Sequence, residues 1–304
     1  MDLKLLPRAT RANFLPASII PFLIGTAFVC SQGVDVSIAR FRFGFVGVIC
    51  AHLAGNLLND YFDHKTGADN IAIRRSPFFG GSRVIQQGLV KPKEVLRLSF
   101  IFFTVSALCG FSIFLISKNP VFLLLMLIAG LLTIEYTAPP LRFAYRRLGE
   151  LDIFILFGVL MIMGSVYLFS ENFTPGAFLI SLPIAFLILG VLICNEIPDL
   201  PTDAATGKRN LVSLSGQRHG YLLYAGVIVL SALSIVANVY YGNLPVFALA
   251  ALFVYFSGFK AAVILKLRFN DLKSCIYASK LTMNLHGMVG LLIIVMLLAK
   301  RFFS

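Results

Sequence analysis

Two stretches of this 304-residue chain hold carboxylates at spacings that place them on one helix face. The first runs Asn56, Asp60, Asp63, at i, i+4 and i+7; the second runs Asn195, Asp199, Asp203, at i, i+4 and i+8. Both open as Asn-x-x-x-Asp and both continue to a Thr-Gly-x-x-Asn segment, Thr66 to Asn70 and Thr206 to Asn210. The offset is 139 residues at the Asn and Asp positions and 140 at the Thr-Gly positions, a weak internal repeat with one inserted residue. Carboxylates on one face repel each other, and at the end of an apolar helix they are costly unless something positive is bound. Oxygen donors without a Cys or His partner suit Mg²⁺, a hard ion usually held by a few carboxylates plus substrate phosphate. Asp60, Asp63, Asp199 and Asp203 are therefore candidate metal ligands, and a metal diphosphate is the implied ligand. A single cluster of this kind reads as a solvated helix cap; two with the same leading Asn argue for a site.

Asn56 and Asn195 lie a turn deeper, where an amide can add an oxygen or orient a carboxylate. Arg83 follows Gly80-Gly81-Ser82, and Lys208 and Arg209 follow the second motif. Arg grips phosphate bidentately and Lys acts as a point charge, so these three are candidates for neutralising a diphosphate leaving group. Arg74, Arg75, Lys91 and Lys93 read equally well as loop charge. The stretch Glu135 to Asp152 combines Pro139-Pro140 with Tyr136, Arg142 and Tyr145, a rigid aromatic-basic turn able to wall a pocket. In a chain without Trp, the two tyrosines read equally as membrane-interface anchors. His52, two turns above Asp60, fits a helix-to-helix hydrogen bond at least as well as a functional role.

The elements that must position these residues are membrane helices. With 58% apolar residues, mean hydropathy +0.87 and 13% charged residues, the chain is no soluble domain, where about a quarter of residues are charged. Apolar segments fall at 13–31, 39–59, 95–117, 120–137, 151–170, 175–197, 220–241, 245–267 and 279–299, of which the fourth is the shortest. Nine spans leave no room for a large soluble domain. Of the Lys and Arg residues, 20 fall on the side of the N-terminus and five on the other, so the N-terminus and both acidic motifs are predicted to be cytoplasmic and the C-terminus opposite. That asymmetry accounts for the net charge of +12 without nucleic acid. The five Cys lie mostly in apolar stretches without a CxxC pair and read as packing residues. The first apolar run has no cleavage pattern after it and is predicted to be a retained helix rather than a signal peptide.

The pattern resembles the UbiA superfamily of membrane prenyltransferases, through Asn56-x-x-x-Asp60-x-x-Asp63 after helix two, Asp199-x-x-x-Asp203 after helix six and Tyr136-x-x-Pro139-Pro140-x-Arg142 after helix four. Asn59-Asp60-Tyr61-Phe62-Asp63 with Gly67-Ala68-Asp69, Gly80 to Gln86 and Gly207-Lys208-Arg209-Asn210-Leu211 look most like the branch that includes the 1,4-dihydroxy-2-naphthoate polyprenyltransferases. Gly67 stands where the 4-hydroxybenzoate branch usually places a third Asp, and Glu196-Ile197-Pro198 before Asp199 departs from the common second motif. The resemblance implies an all-α polytopic membrane protein with nine helices around a central cavity, one domain over residues 1–304 in which helices 1–4 and 5–8 form a pseudo-repeat. It implies Mg²⁺-dependent transfer of an isoprenyl chain from its diphosphate to an aromatic acceptor, in quinone biosynthesis, with membrane lipid around the site. Asp60, Asp63, Asp199, Asp203, Arg83 and Lys208 would be catalytic; Asn56, Asn195, Lys65, Asp69, Tyr136, Arg142, Tyr145 and Arg209 would bind substrate. No protein nucleophile is required, in keeping with the absence of a Ser-His-Asp or Cys-His arrangement. Other acceptors of the superfamily, namely 4-hydroxybenzoate, homogentisate, a chlorin or a glycerol phosphate lipid, remain open at this point. A secondary transporter also carries intramembrane acids and repeats, but its site belongs near the midplane, often between inverted repeats. Here a four-helix period keeps both motifs on one face.

Overall fold

The computed structural model describes residues 2–69, 76 and 78–303, and every regular element among them is helical. Asn70, Arg74 and Arg75 lie outside the described residues. Among the described residues, eight helices are long and apolar enough to cross a bilayer: α1 (Ala12–Ser31), α2 (Ile38–Thr66), α3 (Pro92–Ser117), α5 (Gly149–Ser170), α6 (Pro175–Ala205), α7 (Gly220–Tyr240), α8 (Val246–Arg268) and α9 (Leu272–Arg301). The fourth apolar segment forms a shorter helix, α4 (Val121–Glu135), of 15 residues. At ~1.5 Å of rise per residue it covers about 22 Å, less than the ~30 Å hydrocarbon core. The nine expected spans are thus eight of spanning length and one that is not. Asn119 starts α4 by accepting the Val121 N–H at 3.0 Å, and the Pro139-Pro140 pair follows its end.

Packing follows from which faces are small and apolar. α1 packs on α9 and on the second half of α5, α2 on α3, α6 on α7 and α9, and α8 on α9, so the first and last helices meet. The cavity that results is lined by α1 to α6 and their loops. Of the other three helices, α7 and α9 brace α6, α9 also packs on α1, and α8 packs on α7 and α9. Large apolar side chains such as Phe100, Leu108, Leu124, Leu233, Phe253 and Leu291 face outward. That is the stable arrangement where the surrounding solvent is lipid.

Prolines shape α6 and tie it to its neighbours. A helical proline removes the hydrogen bond to the carbonyl four residues back. Pro183 frees the Leu179 carbonyl, which accepts from Asn238 Nδ2 of α7 at 2.7 Å. Pro201 frees the Ile197 carbonyl, which accepts from Gln217 Nε2 at 2.8 Å. These two broken backbone bonds therefore become tertiary ones. At the end away from the acidic motifs, Arg40 pairs with Glu171 at 2.8 Å, and Asn119 Nδ2 donates to Glu171 at 3.0 Å and to the Tyr167 hydroxyl at 2.9 Å. These bonds join α2, α5 and the turn before α4.

The middle of α5, Phe154–Leu160, winds as a π-helix, a widened turn that is frequent at functional sites. Here it sets Phe157 and Leu160 on the cavity wall. Gly158 carries the contact with α6: a Cβ there would lie 2.3 Å from the Ala185 Cβ and 2.4 Å from its Cα. Since backbone cannot yield as a side-chain tip does, Gly158→Ala should lower stability by about 1–3 kcal/mol. Gly226→Ala in α7, where a Cβ meets nothing within 4 Å, should be neutral or stabilising. Thermal unfolding of both variants in detergent checks the pair; equal melting temperatures would refute the close-packing argument.

Candidate active site

Both carboxylate motifs stand where a glycine ends the helix. Gly67 after α2 and Gly207 after α6 have φ of 85° and 74°, the left-handed conformation that costs glycine little. The chain turns sharply after each set of acids, and residues 78–90 and 206–219 fold back over them. In the first of these loops Ser82 donates its backbone N–H to both oxygens of Asp60, at 3.4 and 3.2 Å, while Arg11 Nη1 stands 4.0 Å from the same carboxylate. A Cβ on Gly81, φ 69°, would meet Asp69 Oδ2 at 2.6 Å, so only glycine allows the loop to come this close. Arg8 pins the loop from the other side through Ser82 O at 3.2 Å and Gln87 Oε1 at 2.7 Å.

The two motifs meet through Asp63 and Lys208. Asp63 Oδ1 accepts from the Tyr145 hydroxyl at 3.1 Å, Oδ2 accepts from Asn59 Nδ2 at 3.3 Å, and Lys208 Nζ lies 3.7 Å from Oδ2. Lys208 arrives from the second loop, its backbone N–H donating to the Asp203 carbonyl at 2.9 Å. Asn210 Nδ2 donates to Asp203 Oδ2 at 2.9 Å, so the Asn of the second Thr-Gly-x-x-Asn segment holds an acid of its own motif. The Gly80 backbone hydrogen-bonds Asp199, which carries the first loop across to the second motif. These groups sit at one end of a cavity of about 720 Å³ whose other walls include Phe22, Phe157, Leu160 and Leu192.

Other residues singled out in the sequence take varied places. Asn56 and Asn195 line the cavity; Asn56 Nδ2 donates to the Thr10 carbonyl at 2.9 Å, and Asn195 Oδ1 accepts from the Ser279 hydroxyl at 2.8 Å. Tyr136 lines it as well, whereas Tyr145 stands behind Asp63 with Arg142 stacked 3.9 Å over its ring. Asp60, capped by Ser82, and Arg83, whose Nε and Nη1 are buried without a hydrogen-bond partner among the described residues, lie off the lining. Arg209 is exposed and offers its carbonyl to the Arg147 N–H at 2.8 Å, and exposed Lys65 lies 6.0 Å over the Tyr61 ring. His52 Nδ1 is 2.6 Å from the Ser18 hydroxyl, the interhelical bond that its position suggests. Sequence reasoning missed Arg11, Glu150 and Asp152, all on the lining. Arg11 sits in no motif and reads only as charge; for Glu150 and Asp152 the sequence signal is acids in the first turn of an apolar helix.

Electrostatics follow from burial. Lys208 alone would lose its charge on burial, but Asp63 and Asp203 outweigh this and hold the ammonium well above the usual lysine value. Burial and then Asp63 push the Tyr145 phenol up. Burial, followed by repulsion from Asp63 and Asp60, pushes Asp69 up to about 8. Among the described residues, no three His, Cys, Asp or Glu side chains gather closely enough to hold an ion by themselves. Acids divided between two helix ends instead suit ions whose coordination a ligand's own oxygens complete.

Fold and site together define a helical membrane enzyme that gathers acids around a cation at the mouth of an apolar chamber. The UbiA prenyltransferase family profile matches residues 18–287. The chain belongs to the UbiA prenyltransferase family and is an integral, multi-pass membrane prenyltransferase. Among its relatives, the 1,4-dihydroxy-2-naphthoate octaprenyltransferase of Bacillus subtilis is 28% identical over 240 residues, covering 79% of this chain and 75% of that protein. The UbiA prenyltransferase domain-containing protein 1 of Xenopus tropicalis is 30% identical over 235 residues, 76% of this chain and 66% of that protein. A UbiA homolog from Archaeoglobus fulgidus bound to DMAPP and Mg²⁺ shares the fold, with TM-score 0.69, 15% identity and coverage of 98% of this chain and 99% of that one.

The raised Asp69 makes a pH prediction. Unfolded, this acid ionises near its ordinary value of 3.8, whereas folded it resists ionisation up to about 8. The folded state is therefore favoured below the lower value and loses that advantage as pH rises through the interval. In metal-free buffer, the melting temperature of Asp69→Asn should rise relative to wild type between about pH 5 and about pH 9. A constant difference across that range would show that Asp69 titrates normally.

Proposed function

We propose that this enzyme transfers an isoprenyl chain from an isoprenyl diphosphate to an aromatic acceptor, 1,4-dihydroxy-2-naphthoate, whose ring carboxylate leaves as CO₂. One observation carries the reading: two sets of carboxylates from repeated motifs face each other around Lys208 at the end of an apolar cavity. Such an end suits a diphosphate with its counter-ions and such a cavity suits a prenyl tail. The acceptor is supported by the B. subtilis relative and by the Escherichia coli 1,4-dihydroxy-2-naphthoate octaprenyltransferase, 27% identical over 233 residues. The donor class and Mg²⁺ are supported by the A. fulgidus homolog bound to GPP and Mg²⁺ as well as the DMAPP complex.

The donor set fits Mg²⁺ in chemistry, being carboxylate oxygen throughout. Asp60, Asp63, Asp199 and Asp203 would hold it, with Asp69, Asn56 and Asn195 orienting around them. When bound, it supplies positive charge that neutralises the diphosphate. Lys208 and Arg11 add fixed cations on the same side, and Arg83 brings a guanidinium with unpaired nitrogens. As the carbon–oxygen bond of the donor breaks, the pyrophosphate keeps the electron pair and these cations stabilise it. The ring carbon that bears the carboxylate forms the new carbon–carbon bond, and the electrons of the bond to CO₂ restore the ring. The apolar walls keep water from the allylic cation. Tyr145, supported by Arg142, holds Asp63 in place, while Tyr136 walls the acceptor side. Exposed Lys65 and Arg209 meet the incoming anion at the rim. The chain acts as one domain built from two related halves, with N-terminus and acidic end cytoplasmic and C-terminus opposite, as the bias of Lys and Arg supports.

Purified protein with Mg²⁺, an isoprenyl diphosphate and the naphthoate should release pyrophosphate and form a prenylated, decarboxylated product by mass spectrometry. Chelation should abolish turnover and Mg²⁺ restore it. Asp60→Ala, Asp199→Ala and Lys208→Met should each lower kcat/KM by about 10²-fold or more, and normal turnover in the Asp variants would sink the site assignment. A panel with 4-hydroxybenzoate, homogentisate, a chlorin and a glycerol phosphate lipid decides the acceptor.

A further inference from the structure

A second group of acids lines the cavity apart from the two repeated motifs. Glu150 and Asp152 project from the first turn of α5, only 2% and 3% exposed, and Glu196 comes from α6, three residues before Asp199. Glu150 is engaged: its Oε1 accepts the Leu211 backbone N–H, and its carboxyl meets that of Glu196. The others are not. Among the described residues, both carboxylate oxygens of Asp152, and Oε2 of Glu196, are buried without any hydrogen-bond donor. Leaving a buried acceptor unmade costs roughly 1–3 kcal/mol, more for a charged group, so three such oxygens on one cavity call for donors that the described residues do not supply. Glu150, Asp152, Glu196, Tyr136 and Lys208 all line this one cavity, and the Glu150 bond to Leu211, three residues past Lys208, sets the acids near its cationic end rather than in a separate chamber. Ile153, with Leu156 and Phe157 on the widened turn that follows it, adds an apolar wall.

We propose that Asp152 and Glu196 form the acceptor subsite, accepting hydrogen bonds from the ring hydroxyls of a dihydroxylated arene whose flat face rests on the apolar wall of α5. This inference rests on the prenyl-transfer reading and adds to it the specificity-determining residues and an orientation. Hydrogen-bonding of its hydroxyls to carboxylates raises the electron density of the ring, which favours attack on an electrophile. A ring carboxylate would be repelled by the same acids, so it turns toward Lys208. The carbon that bears it thereby faces the end where the diphosphate departs. No proton is transferred in this arrangement; the two acids bind and orient.

The test compares Asp152→Asn and Glu196→Gln with wild type, varying isoprenyl diphosphate and 1,4-dihydroxy-2-naphthoate separately. The subsite requires KM for the naphthoate to rise about ten-fold or more while KM for the diphosphate stays within about two-fold, which also certifies the fold of each variant. The second readout uses 1-hydroxy-2-naphthoate and 4-hydroxy-2-naphthoate, each lacking one hydroxyl. The penalty for a missing hydroxyl should be large in wild type and should shrink for one of the two analogues in each variant, a coupling that a purely structural role would not produce. Unchanged naphthoate KM, or equal penalties in wild type and both variants, overturns the subsite and leaves the diphosphate site standing. If wild type instead uses another hydroxylated arene and the variants raise that KM selectively, the subsite holds and only the acceptor assignment fails. Transfer to no hydroxylated arene at all overturns both.

Discussion

Acids from helix ends 139 residues apart can share one space only because a cation stands among them. Lys208, 3.7 Å from Asp63 and held by its own backbone to Asp203, is that cation. Without it the ends of α2 and α6 would repel each other in surroundings too dry to screen the charge. Its placement in turn depends on Gly207, whose left-handed turn brings the chain back over Asp203, and on Asn210, which clamps that acid. The loop after α2 answers with Gly80 and Gly81, so close to Asp199 and Asp69 that a Cβ on Gly81 would strike the latter. The compensation is partial, since burial, together with repulsion from Asp63 and Asp60, still keeps Asp69 raised. A site with surplus negative charge is suited to ligands that bring positive ions with them.

The rest of the molecule makes this end rigid without polar material in the bilayer. Helix α6 contains interior prolines, and the two carbonyls released by Pro183 and Pro201 are taken by Asn238 and Gln217. In lipid no water is available to take them, so the partner must come from another element. The opposite end is closed by the Arg40, Glu171, Asn119 and Tyr167 bonds, leaving the cavity to be shaped by α1 to α6. Close contact of Gly158 with Ala185 sets the separation of α5 and α6 on which its width depends.

The distribution of polar groups around the cavity separates two kinds of acid. Those of the repeated motifs are engaged by Ser82, Tyr145, Asn59, Asn210 and Lys208, so they are positioned before any ligand arrives. Those of Asp152 and Glu196 keep oxygens that no described residue pairs, in a buried place. Preorganisation at one and unmet demand at the other are what an enzyme needs that binds an ionic donor and a hydroxylated acceptor in a single chamber.

Composition and periodicity alone determined that this is an all-helical membrane protein, since 58% apolar residues in segments near 20 long have no stable soluble arrangement. The repeated Asn-x-x-x-Asp spacing singled out the acids because scarce charge at two corresponding helix ends is costly wherever it has no purpose. Tertiary structure decided the rest. Periodicity could not show that α4 is too short to span, nor that α7 to α9 stand outside the cavity, because both depend on where caps and neighbouring helices fall. Nor could it separate Lys208, turned inward between two acids, from Arg209, the next residue, turned out to solvent. Arg11 and Asp152 carried no motif; only folding brings the one to within 4.0 Å of Asp60 and leaves the other on the cavity wall without a donor. Spacing along a helix reports which residues share a face, while the partner that face meets is chosen by loops whose turns rest on single glycines.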